Sequence, residues 1–150
     1  MFERYKQFVG AIKPPNRFWP VTADEIGAAE ARLGHEFPSE LRKFFQEIGY
    51  GFYGEGIKDS KRTHVNRVMD PTSIADILLD KSEPYRPHEG FLNGVMPFFD
   101  LGESTFLVLK PKTTLPNRVF WPDGVKVVSE SLIEFFEELY VHADFYHKST

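Results

Sequence analysis

Phe37-Pro38-Ser-Glu-Leu41-Arg-Lys-Phe44-Phe45-Gln-Glu-Ile48-Gly49-Tyr50-Gly-Phe52-Tyr53-Gly-Glu-Gly-Ile57 changes its period half-way along. Leu41, Phe44, Phe45 and Ile48 fall at i, i+3, i+4 and i+7, the apolar stripe of one helix face. Pro38 sits in the first turn, where its missing N–H costs nothing, and Gly49 stops the helix. From Tyr50 glycines alternate with aromatics, which suits a strand with bulges or a close approach of backbones. A helix therefore hands directly to a strand. Upstream, Thr22-Ala-Asp-Glu25 is a capping box, in which hydroxyl and carboxylate each satisfy an orphan amide. With Ile26, Ala29, Glu30 and Leu33 behind it and Gly34 placed for the left-handed cap, it predicts a helix over 22–33. Only residues 34–37 separate the two helices, so they should pack as a pair. Phe2, Tyr5, Val9 and Ile12 add a short opening helix, stopped by Pro14-Pro15.

Downstream the strand signals continue. His64 to Met69 reads as a strand, and Asp70-Pro71 opens a short helix carrying Ile74, Ile77 and Leu78. Residues 80–94 read as loop. Val95 to Phe99 and Thr105 to Leu109 are strands split by Asp100-Leu-Gly-Glu103. Arg118 to Trp121 and Val125 to Val128 flank Pro122-Asp123-Gly124, where Asp-Gly signals a hairpin. Ser131 and Glu134 form a second capping box ahead of the stripe Leu132, Phe135, Phe136, Leu139. The fold expected is α+β: N-terminal helices, a central antiparallel or mixed meander, and a C-terminal helix packed on one face of the sheet. A chain of 150 residues can bury one full core, and no repeat or linker divides it. One domain spanning 1–150 is expected.

Composition removes several function classes. Cysteine is absent, which excludes disulfides, thiolate nucleophiles and Cys-ligated metals. The N-terminus carries Glu3, Arg4 and Lys6 and lacks a signal-peptide core, and no window has the uncharged length of a membrane span. A soluble, cytoplasmic protein with no membrane contact follows. The net charge of −4 gives no basic face for direct nucleic-acid binding and points to basic partners. Of the five histidines, none has the helical spacing of a zinc pair, and His35, His64, His88, His142 and His147 read as surface residues. No nucleophile elbow, phosphate loop or dinucleotide fingerprint occurs. Asp100 with Glu103, or His88 with Glu89, would do acid–base work only if a pocket raised one pKa. No catalytic residue, metal or cofactor is assigned.

The order and spacing of these segments resemble the SUKH superfamily over about residues 20–142. The helix pair Thr22-Ala-Asp-Glu-Ile26, Glu30-x-x-Leu33-Gly34 and Phe37-Pro38-x-x-Leu41-x-x-Phe44-Phe45-x-x-Ile48-Gly49 is similar to that family's N-terminal pair. Met96-Pro-Phe-Phe-Asp-Leu-Gly-Glu103 with Thr105-Phe-Leu-Val-Leu109 resembles its middle block, and Ser131-Leu-Ile-Glu-Phe-Phe136 its closing helix. Phe37 stands where the family usually has Leu, and the turn reads Gly-Glu rather than Gly-Asp. The resemblance implies a toxin-immunity protein of polymorphic or contact-dependent systems. It would bind a cognate toxin domain, basic and nuclease-like, and block it sterically and electrostatically. The alternative is a non-catalytic regulatory adaptor, and a small hydrolase ranks third. Aromatics beside Gly or Pro (Trp19, Phe52, Tyr53, Trp121) are candidates for exposure, and aromatics flanked by acids make interface anchors. Tyr53, Asp100, Glu103, Trp121 and Asp123 are the partner-binding residues expected. Oligomeric state stays open.

Overall fold

A computed structural model describes residues 1–10, 17–53, 66–79, 94–103, 105–142, 145 and 146. Among them the strands are β1 (Arg17–Trp19), β2 (Tyr50–Phe52), β3 (Arg67–Val68), β4 (Met96–Gly102), β5 (Thr105–Leu109), β6 (Val119–Phe120) and β7 (Val127–Ser129). The helices are α1 (Ala23–Leu33), α2 (Ser39–Glu47), α3 (Pro71–Leu78) and α4 (Leu132–Val141). The seven strands form one sheet in chain order, each antiparallel to the next. Sequential antiparallel neighbours make this a meander, the α+β arrangement that the run of strands between helices predicts.

Local chemistry sets the boundaries. Thr22, Asp70 and Ser131 each accept the amide three residues on, from Glu25, Ser73 and Glu134, so three helices open on side-chain caps. Helix α2 opens on Pro38, which has no such group. Its second residue is capped from a distance: the Glu40 amide donates to Asn117 Oδ1 at 3.0 Å. The Glu40 carboxylate in turn accepts the Ile133 amide at 2.9 Å, joining α2 to α4.

Several elements depart from the sequence reading. The opening segment is a 3₁₀ helix, Glu3–Phe8, rather than an α-helix, and Val9 leaves it to bridge Phe18. Six residues before Gly10 give too few turns for an isolated α-helix to close. Ile12 and Pro14-Pro15 lie outside the described residues, as do Gly54–Ile57, His64 and the segment 80–93. Strand β4 runs on through Asp100 to Gly102, so the split between it and β5 is a tight turn. The last hairpin is shorter in strand and longer in turn than expected, its turn closed by the Trp121 amide donating to the Lys126 carbonyl at 2.9 Å.

The core lies between the sheet and α2 with α4. Phe44 and Phe136 stack at 4.2 Å with planes 8° apart, and Phe2 sets its edge against both. Phe18 of β1 packs on Phe44 at 5.9 Å. A register shift in β4 between Pro97 and Phe99 turns both Phe98 and Phe99 to Phe135, at 5.5 and 5.1 Å. Full burial of each ring contributes about 1.5–3 kcal/mol.

Candidate partner interface

Across β1 to β4 the register places Arg17 opposite Phe52, Phe52 opposite Arg67, and Arg67 opposite Asp100. Directly opposed residues share a face, so these four form one row across the sheet. Trp19 opposite Tyr50 forms a parallel row two residues along. The other face carries Phe18, Gly51, Val68 and Phe99, all buried. The row face is open: Trp19 is 36% exposed and Tyr50, Phe52, Arg67 and Asp100 are half-buried.

The aromatics on this face touch one another. Trp19 stacks on Tyr50 at 5.7 Å, meets the edge of Phe52 at 6.2 Å, and lies beneath the Arg17 guanidinium at 5.6 Å. Gly49 and Gly51 let β1 and β2 approach. A Cβ on Gly49 would lie 1.8 Å from the Trp19 carbonyl oxygen, and one on Gly51 would lie 2.1 Å from that of Arg17.

Of the residues expected to bind a partner, Asp100 lies in this row. Its Oδ1 accepts the Gly102 amide at 2.8 Å, and its Oδ2 is 3.9 Å from Arg67 Nε. Arg67 also reaches Asp70, the cap of α3, at 3.9 Å. Glu103 follows at the closed end of the β4–β5 hairpin, exposed, with φ of +54°. That left-handed conformation costs a non-glycine residue about 1 kcal/mol.

Tyr53 points the other way. Strand alternation sends Tyr50 and Phe52 outward and Gly51 and Tyr53 inward. Tyr53 is 6% exposed, its ring 5.7 Å from Tyr5, and burial pushes its phenol up to about 12. The outward aromatics here are Trp19, Tyr50 and Phe52. Sequence reasoning weighed Trp19 and Phe52 but lacked the phase of the alternation, which the Gly51–Arg17 contact fixes.

Asp123 and Trp121 sit elsewhere. Asp123 is exposed, and Oδ1 accepts the Val125 and Lys126 amides at 2.9 and 3.1 Å. Those amides hold its carboxyl below the usual carboxylate range. Neighbouring Gly124 packs on Val95 and Lys110, at the open end of the β4–β5 hairpin. Glu103 stands at the other end, separated by the length of β4, about 20 Å at 3.3 Å per residue. Trp121 is half-buried, its ring 6.1 Å from Tyr146. The fold thus gathers Asp100 and Glu103 and leaves Trp121 and Asp123 apart from them.

Among the described residues no group of three His, Asp or Glu side chains is placed to hold a metal ion. No described helix is long and apolar enough to cross a membrane. An open cavity of about 370 Å³ lies between Pro38, Lys43, Pro111 and Pro116. Arg42 on its rim is held by Glu30 at 3.1 Å.

The sequence matches the SMI1 / KNR4 family (SUKH-1) over residues 20–138. It is 31% identical over 136 residues to the immunity protein YxxD of Bacillus subtilis (strain 168), a match covering 87% of this chain and 88% of that one. No solved structure matches significantly. The matched span begins at the residue after β1 and runs through α1 and strands β2 to β7 into α4, and the chain belongs to the SMI1 / KNR4 family (SUKH-1).

Proposed function

We propose that this chain is an immunity protein that binds a cognate toxin domain in the cytoplasm and neutralises it stoichiometrically, with no cofactor and no chemistry of its own. The observation that carries this reading is the near-full-length similarity to immunity protein YxxD. The toxin domain we propose is nuclease-like and basic around its substrate groove. A net charge of −4 would draw such a domain in faster than a neutral pair meets. Exposed Glu103 and Asp123, with Asp100 beside Glu103, would occupy charges otherwise used for nucleic acid. A stable complex would cover about 800 Å² on each partner. Neither nucleic acid nor a membrane is contacted directly.

The test uses the purified chain and the C-terminal domain of a large secreted protein encoded by a neighbouring gene. A one-to-one complex and loss of toxin activity are expected, with association slowing as salt rises. Glu103→Gly should relieve the left-handed strain, raising stability by up to about 1 kcal/mol, while slowing association several-fold. Absence of binding at both low and physiological salt overturns the reading.

A further inference from the structure

We propose that the groove between α2 and the loop after β5 receives an extended segment of the toxin domain, in which an apolar side chain is flanked by aspartate or glutamate. The proposal deepens the immunity reading and rests on it. Ser39, Arg42, Lys43 and Gln46 line the groove from α2, at the i, i+3, i+4 and i+7 spacing of one helix face. The opposite face of the helix, with Leu41, Phe44 and Phe45, is buried in the core. Pro111 and Pro116 of the loop form the facing wall.

The groove is built before anything enters it. Asn117 Nδ2 donates to Ser39 Oγ at 3.1 Å, and Asn117 Oδ1 accepts the Glu40 amide at 3.0 Å, which fastens the loop to α2. Within the loop Thr113 Oγ1 donates to the Lys110 carbonyl at 2.8 Å, and the Arg118 amide donates to the Leu115 carbonyl at 3.3 Å. The proline rings fix φ at both wall positions. A volume of about 370 Å³ is on the scale of sites that enclose a small ligand. Leu115, next to Pro116, stays 49% exposed, an apolar side chain carried by this bonded loop. Walls that already hold their shape lose little freedom on docking.

The charges left open here name the occupant. The acids of α2 are engaged elsewhere: Glu40 accepts the Ile133 amide at 2.9 Å, and Glu47 accepts the Phe2 amide at 3.4 Å. Glu30 holds Arg42 through Nε at 3.1 Å, so that guanidinium is already compensated. Lys43 is not. It is exposed and makes no ion pair or hydrogen bond among the described residues, and the same is true of Lys112, next to Pro111 in the facing loop. Glu36 is the one acid on the lining. It precedes Pro38, whereas Lys43 lies about 6 Å along the helix beyond Ser39. The groove is therefore acidic at one end and cationic at the other. A carboxylate arriving beside Lys43 or Lys112 gains attraction without breaking an existing pair. Phosphates carry the same sign, but two ammonium groups on a chain of net charge −4 supply too few contacts to hold nucleic acid.

The experiment measures Kd for the C-terminal domain of the large secreted protein encoded by a neighbouring gene, with Lys43→Gln, Lys43→Glu, Lys112→Glu and Leu115→Ala. Lys6→Glu is the matched control, because its segment meets α2 at the far end, where Phe2 bonds Glu47. Each variant's fold is checked by circular dichroism. Extra negative charge strengthens the long-range pull on a basic domain, so Lys6→Glu should not weaken binding. Lys43→Glu should weaken it about ten-fold or more and Lys43→Gln by less, against that trend, because like charges then meet in the groove. Leu115→Ala should weaken it about five-fold or more. Carbodiimide coupling of the unmutated complex gives a second readout, joining Lys43 or Lys112 to an aspartate or glutamate of the toxin domain. Four results overturn the groove while leaving the immunity reading intact, provided the wild-type chain still binds: lysine variants within about two-fold of wild type, no coupling at either lysine, binding of oligo(dT) that Lys43→Glu abolishes, or self-association that Lys43→Glu abolishes. A wild-type chain that does not bind the toxin domain overturns both.

Discussion

Tyr53 and Tyr5 show how orientation converts residue type into role. Both phenols are buried, and Tyr5 donates its hydroxyl to the Phe136 carbonyl. Burial raises both ionisations, Tyr53 to about 12, against about 10 for a free tyrosine. Above pH 10 the unfolded chain releases protons that the folded chain retains, so stability falls as pH rises from 10 through the folded value, and is fully present below 10. Tyr53→Phe should flatten that alkaline decline. Denaturant midpoints between pH 8 and 12 for the variant and wild type check it, and identical slopes would remove Tyr53 as the cause. The sequence marks Tyr53 as an aromatic beside glycine, a pattern common to exposed and buried sites. Its direction follows only from the register of β2 against β1.

At the scale of elements, the β1–β2 pair depends on two glycines at positive φ, Gly49 at 120° and Gly51 at 152°. A side chain at either would strike the backbone of β1. Gly51→Ala should therefore cost about 3 kcal/mol or more, well beyond an ordinary surface substitution, by forcing β1 off the sheet edge and scattering the Trp19–Tyr50 pair. Thermal melting reports the first effect, and loss of the Trp19 near-ultraviolet dichroism band reports the second. A change below about 1 kcal/mol would show that the strands can separate at little cost. The glycine run was legible as a site of close backbone approach. The strand it approaches was not, because Arg17–Trp19 is too short to carry a periodic signal.

For the molecule as a whole, α2, α4 and β1 meet at Phe44, Phe136 and Phe18. Phe136→Ala should destabilise by about 3–5 kcal/mol through lost burial and the cavity left. For a chain of this size that lowers Tm by about 6–20 °C. Phe44→Ala combined with it should cost less than the sum of the two, since both remove the same stack. A calorimetric double-mutant cycle checks this, and strict additivity would mean that the rings act independently. Because the N-terminal and C-terminal helices share this cluster, a single cooperative transition is expected.

The sequence by itself determined the four α-helices, the caps at Thr22 and Ser131, Asp70 at the head of α3, the run of strands after α2, the α+β class and the family. Those features rest on interactions between residues a few positions apart, and spacing records them directly. Tertiary structure alone decided which aromatics face outward, that Asp100 joins Arg67, and that Asp123 stands a strand's length from Glu103. Those are matters of strand register and of which backbones lie side by side, and contacts across 30 residues and more leave no period in the chain.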